Sequence, residues 1–140
     1  MTTKTYTALS LEFDRADHFA IITLRQPETL NAMSLELTLD LRDALDEVTA
    51  AFPDCRALIL TGEGRGFCSG ADMRRDNDPS VTGGNFGGDR GTVEGPDAAR
   101  EHFFHGFTKL HRDISLIRKP TIAMINGPAV GSGMDMALHC

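Results

Sequence analysis

Apolar positions along the chain change period repeatedly, and each change marks an element. Tyr6–Phe13 and His18–Leu24 are short runs rich in β-branched and aromatic residues, separated by Asp14-Arg15-Ala16-Asp17. They predict a β-hairpin. Gln26-Pro27-Glu28 ends the second strand, because proline has no N–H to give to a ladder. Ser34 is then placed as an N-cap. Behind it Leu37, Leu41, Leu45, Val48 and Phe52 recur at helical spacing, with Asp40, Asp43, Asp46 and Glu47 on the other side. One amphipathic helix ending before Pro53 is the expectation. Ala57–Leu60 reads as a compact apolar strand stopped by Thr61-Gly62.

Periodicity is then lost. From Met73 to about Asp97 six glycines are mixed with Asp, Arg and two prolines, which predicts a long flexible loop over 73–97. Helical spacing returns over Ala98–Ile117, with Phe103, Phe107, Leu110, Ile114 and Ile117 on one face, until Lys119-Pro120 stops it. Thr121–Ile125 reads as a buried strand, Asn126-Gly127-Pro128 as a turn, and Met134–Cys140 as the start of a helix. The order is α/β: strand, strand, helix, strand, helix, strand, helix.

Composition narrows the function classes. A 41% hydrophobic and 24% charged chain of 140 residues is an ordinary globular composition, sized for a single domain. A net charge of −6 argues against nucleic acid as a partner, since phosphate binding needs clustered Lys and Arg. No run of 18 apolar residues predicts a membrane span. Cys55, Cys68 and Cys140 are odd in number and widely spaced, which favours reduced thiols and a cytoplasmic setting over disulfides or a zinc site.

Two glycine-rich strand exits are the candidates for chemistry: Gly62–Asp72 and Asn126–Asp135. Neither fits a nucleotide fingerprint, because Met136 stands where a third glycine is wanted and no Gly-Lys-Ser/Thr follows. Such turns expose backbone N–H groups, and a helix starting at Met134 would leave its first N–H groups without intrahelical partners. An oxygen acquiring negative charge would be stabilised there. On glycines alone, two tight structural turns remain the commoner reading. Other candidates are weaker. Ser132 as a nucleophile lacks the G-x-S-x-G elbow, since Val130 occupies the first glycine position. His102, His105 and His111 share a helix without completing a metal-ligand set, and read as solvated or packing side chains. Cys68 reads as a small buried side chain. Asp76-Asn77-Asp78 opens like a calcium loop, but Pro79 and a missing glycine rule it out.

Three segments carry a resemblance. Arg25-Gln26-Pro27-Glu28-Thr29-Leu30-Asn31-Ala32-Met33 resembles the "RPEALNA" segment of the enoyl-CoA hydratase/isomerase (crotonase) family. Gly66-Phe67-Cys68-Ser69-Gly70-Ala71-Asp72-Met73 resembles its "FSAGADL" motif. Lys119 to Ala137 resembles "KPVIAAVNGYALGGGCELA". The three occur in family order over residues 25 to 140. The resemblance implies a crotonase-like spiral of ββα repeats, assembled as trimers or hexamers, with residues 1–140 forming its first turns. The rest of the spiral, the trimerisation helices and a second catalytic acid are expected beyond Cys140. It implies an acyl-CoA thioester substrate, with coenzyme A as part of the substrate and no separate cofactor or metal. It assigns the oxyanion-holding N–H groups to Ala71 and Ser132 and the first catalytic acid to Asp135, and places Ala32, Gly70, Asp72, Met73 and Gly131 around the substrate. Ser132 replaces the middle glycine of the family triplet, and Asp135 replaces a glutamate. Hydration of a 2-enoyl-CoA is the generic expectation. Asp135 also resembles the dienoyl-CoA isomerase branch, a hydrolase is a third option, and a non-catalytic CoA-binding fragment is the alternative outside enzymes.

Overall fold

A computed structural model describes residues 1–72 and 107–140, so the expected loop over 73–97 and the start of the helix predicted from Ala98 lie outside the described residues. Five strands form one sheet in chain order: β1 (Thr2–Thr5), β2 (Leu9–Asp14), β3 (Phe19–Leu24), β4 (Ala57–Gly62) and β5 (Thr121–Ala123). The first three are antiparallel neighbours, whereas β3, β4 and β5 run parallel. Helices α1 (Leu35–Ala50), α2 (Phe107–Leu116) and α3 (Ser132–Leu138) supply the other layer. No helix among the described residues is long and apolar enough to cross a membrane.

Local chemistry accounts for most boundaries. In the β2–β3 turn the Asp14 carboxylate accepts from the backbone N–H groups of Ala16 and Asp17, at 3.0 and 3.1 Å, as an Asx-type turn does. Ser34 is extended, and its Oγ accepts from Leu37 N at 3.1 Å, so it caps α1 as the sequence predicts. The stripe behind it buries Leu37, Leu41, Ala44, Leu45 and Val48. They meet the inward residues of β3 and β4, namely Ala20, Ile22, Leu24, Leu58 and Leu60, in one core. Full burial of each large aliphatic side chain contributes about 1.5–3 kcal/mol.

Three expectations need correction. Phe52, placed on the α1 stripe, lies beyond the helix end and is 71% exposed, because the helix stops at Ala50 before its face can carry that residue inward. β5 is three residues long, shorter than the run Thr121–Ile125 that predicted it, and within the described residues it pairs with β4 alone, with Ile122, Met124 and Ile125 each about half exposed. β1 has no counterpart in the sequence reading, since all four of its residues are exposed. It is held by backbone pairing to β2, with Lys4 ion-paired to Glu47 of α1.

Candidate active site

The parallel register brings the exits of β4 and β5 side by side, and backbone hydrogen bonds then join three loops. Phe67 N and Cys68 N both donate to Pro128 O, at 3.0 and 3.2 Å, and Val130 N donates to Cys68 O at 3.0 Å. Met33 N donates to Gly70 O at 2.7 Å, and Asp72 N returns to Met33 O at 3.2 Å. This is a parallel bridge between Met33 and Ala71. Its pattern uses the carbonyl before Ala71 and the N–H after it, which leaves the Ala71 N–H facing away from Met33. Among the described residues, neither Ala71 N nor Ser132 N has a backbone acceptor.

Glycine is required at two of the crossings. Gly70 has φ +95°, and a Cβ there would stand 2.8 Å from Val130 O. A Cβ on Gly133 would stand 2.3 Å from Cys68 O, inside any real contact distance. The unusual backbone angle at the second exit falls on Gly131 (φ 52°, ψ −126°). Ser132 is the first residue of α3 and is not among the positive-φ positions, so its Cβ brings no backbone strain.

A cavity of about 640 Å³ opens between these loops and the two C-terminal helices. Ala71, Gly131, Ser132 and Asp135 line it, which brings four of the sequence-predicted site residues together. Ala32, Gly70 and Asp72 are not among its lining residues; Ala32 and Asp72 are buried in the loops behind it. Met73 lies outside the described residues. Asp135 is exposed and lines the cavity, with its backbone N–H held by Gly131 O at 3.0 Å.

Sequence reasoning missed the opposite wall. Thr108, His111, Arg112 and Ser115 of α2 all line the cavity, together with His139 of α3. Their spacing of i, i+3, i+4 and i+7 is one face of a helix, and that stripe was the available signal. His111 is only 7% exposed and stacks on His139, with ring centroids 5.4 Å apart. Burial, and then the charge of His139, push its pKa below the ordinary 6.5, while Asp135 and the Ser132 backbone oppose the shift. Its Nε2 and Ser132 Oγ are buried atoms with no hydrogen-bond partner among the described residues. Cys68, beside the bridge, has its thiol pushed up to about 11 by burial, so it stays protonated and is not a nucleophile near neutral pH. Among the described residues no group of three His, Cys, Asp or Glu could hold a metal ion.

The His111 shift has a sign that can be checked. The folded chain holds that proton less tightly than the unfolded chain, so the unfolded state binds more protons below about pH 6.5. Stability contributed by the neutral imidazole is therefore full above that pH and falls as the solution is acidified through it. Urea unfolding at pH 7.5 and pH 5.5 is expected to show a loss on acidification that is smaller in His111→Leu. An equal loss in both proteins would show that His139, Asp135 or more distant groups set the pH dependence.

A family model described as enoyl-CoA hydratase/isomerase matches residues 19–140. A (E)-benzylidenesuccinyl-CoA hydratase of Thauera aromatica is 33% identical over 126 residues, covering 89% of this chain and 42% of its own length. The solved structure of an enoyl-CoA hydratase/isomerase from Xanthobacter autotrophicus Py2 superposes with a TM-score of 0.78 at 27% identity, covering 97% of this chain and 45% of the other. That of an enoyl-CoA hydratase from Bacillus anthracis gives 0.71 at 26% identity, covering 93% and 45%. The chain spans about 43% of the length of the curated relatives that match it. The architecture is the crotonase fold expected from the three motifs, over the first part of that spiral.

Proposed function

The chain belongs to the enoyl-CoA hydratase/isomerase family, and on that premise we propose that it carries the thioester-binding part of an acyl-CoA site. In this reading Ala71 N–H and Ser132 N–H hold the thioester oxygen, and Asp135 moves a proton at the acyl chain. The observation that carries it is the convergence of Ala71, Ser132 and Asp135 on one cavity, with both N–H groups lacking a backbone acceptor among the described residues. As water attacks carbon 3 of a 2-enoyl thioester it gives one proton to a carboxylate, an electron pair moves onto the thioester oxygen, and the enolate then takes that proton back at carbon 2. Donors fixed in advance where that charge develops contribute about 3–4 kcal/mol each. No reaction step requires a metal or a cofactor other than the coenzyme A of the substrate.

Asp135 also favours a second reading, double-bond isomerisation. A carboxylate one CH₂ shorter than glutamate can shuttle a proton between carbons of the acyl chain without positioning water. Because the relatives are more than twice as long, turnover by the whole protein, its assembly into trimers and its acyl specificity all belong to this proposal. The test is incubation with 2-enoyl-CoA and 3,5-dienoyl-CoA in parallel, with chromatography of the products and a thermal-shift titration of each thioester. Product from the first supports hydration, and product from the second supports isomerisation. Stabilisation without product supports a CoA-binding piece alone, since a ligand of the native state raises stability. Neither product nor stabilisation would overturn the reading.

A further inference from the structure

His139 lines the cavity and is not used by the thioester reading. It follows Asp135 by four residues, which sets both on one face of α3, and both are exposed. Its Nδ1 lies 2.7 Å from Asp135 O. A carbonyl oxygen only accepts, so Nδ1 carries the proton, and in the neutral ring Nε2 keeps the lone pair. Capping the end of α3 would need that Nδ1 donor alone. Nε2 has no hydrogen-bond partner among the described residues. The ring also stacks on His111 of α2, with centroids 5.4 Å apart and planes inclined by 18°, so it is held both at Nδ1 and on one face. The other titratable or charged side chains on the cavity are His111, kept neutral at pH 7 by burial, and Arg112, which does not release its proton. Among the described residues, Asp135 and His139 are therefore the two cavity groups that can exchange a proton near neutral pH.

We propose that His139 is a second catalytic residue, whose Nε2 gives a proton to the acyl chain while the Asp135 carboxylate takes one. This rests on the thioester reading above and narrows the reaction within it. Side chains at i and i+4 of a helix stand about 5–6 Å apart at Cβ. Two groups so placed reach carbons several bonds apart along an acyl chain better than the adjacent carbons 2 and 3. That span suits migration of a double bond. Asp135 takes a proton from carbon 2, and the electron pair of the broken C–H bond passes onto the thioester oxygen held by the Ala71 and Ser132 N–H groups. The pair then returns through the conjugated chain, and its far carbon bonds to the Nε2 proton of the His139 imidazolium. Asp135, now a carboxylic acid, passes its proton to the neutral imidazole. Both groups are restored, and no proton is gained or lost overall.

The experiment follows conversion of 3,5-octadienoyl-CoA to its 2,4-isomer by the chain across neutral pH, with thioester binding read separately by thermal shift. His139→Asn keeps an N–H donor close to Nδ1 and removes Nε2. It is expected to lower kcat by about 10²- to 10⁴-fold with KM little changed. Free imidazole added to this variant should restore part of the turnover, which it could not do for a residue that only caps the helix. The kcat of the parent should fall as the solution is made alkaline and the imidazolium loses its proton, and the asparagine variant should lack that fall. His139→Gln sets an amide near the place of Nε2 and cannot transfer a proton, so the same loss is expected there if the asparagine variant fails to fold. Turnover in either folded variant equal to that of the parent would overturn the inference, as would a loss that free imidazole leaves in place. Binding of the dienoyl thioester by the parent without conversion would overturn this inference alone. Neither conversion nor binding would overturn the thioester reading with it.

Discussion

Asp135→Asn is expected to lower kcat by about 10²- to 10⁴-fold, the range that a single positioned proton-transfer group supplies. The change is nearly isosteric and removes only the ability to take and return a proton. Asp135 lines the cavity in the first turn of α3, and its carboxylate makes no ion pair among the described residues. Its backbone N–H is fixed to Gly131 O and its carbonyl accepts from His139 N at 3.1 Å. The asparagine variant should therefore keep the helix start, the cavity and the Ser132 N–H, and thioester affinity should stay within a few-fold. A fall in kcat with KM little changed is the signature of a group acting only in the transition state. Turnover equal to that of the parent would remove Asp135 from the mechanism. A loss confined to KM would make it a binding group.

Asn31→Leu is expected to destabilise the fold by about 3–5 kcal/mol, although leucine has the same branching and number of side-chain heavy atoms; Asn31 is fully buried. Asn31 Oδ1 accepts from Gln26 N at 2.9 Å, and its Nδ2 donates to Glu63 O at 3.0 Å and Gly66 O at 2.8 Å. Leucine would leave three backbone groups without this partner, each costing about 1–3 kcal/mol. Part of the loss at Gly66 O is offset by Asn126 Nδ2 at 3.4 Å. The residue also sits at φ 56°, a region that asparagine adopts more readily than leucine, although Leu30 beside it is at φ 54°. Urea unfolding with an unchanged m-value measures the effect. A loss below about 1 kcal/mol would show that the loops hold without this side chain. The consequence reaches the cavity, because the same asparagine ties the segment before Met33 to the loop that carries Ala71.

Some of the structure was legible because its causes are local. The hairpin turn at Asp14–Asp17, the cap at Ser34 and the apolar stripe from Leu37 to Val48 each depend on residues within a few positions of one another. The misreadings have the opposite character. β1 offers no buried face and exists only because β2 provides a row of backbone partners. β5 is shorter than its apolar run suggests, because its pairing with β4 ends at Ala123.

The candidate site divides in the same way. The motifs around Ala71 and around Ser132 and Asp135 were readable from sequence, and the three-motif resemblance placed the chain in its family. Asn31 was visible only as part of a motif, since its three partners lie 5, 32 and 35 positions away. His111 was visible as a helical residue, but nothing in its neighbourhood showed whether that face met solvent, core or a cavity. By itself, then, the sequence determined the local elements, the two glycine-rich exits and the family. The tertiary structure decided which exits lie against each other and which polar stripe closes the opposite wall. Glycine at 70 and 133 permits a backbone to approach closely, but only the parallel order of β3, β4 and β5 decides which backbone it is.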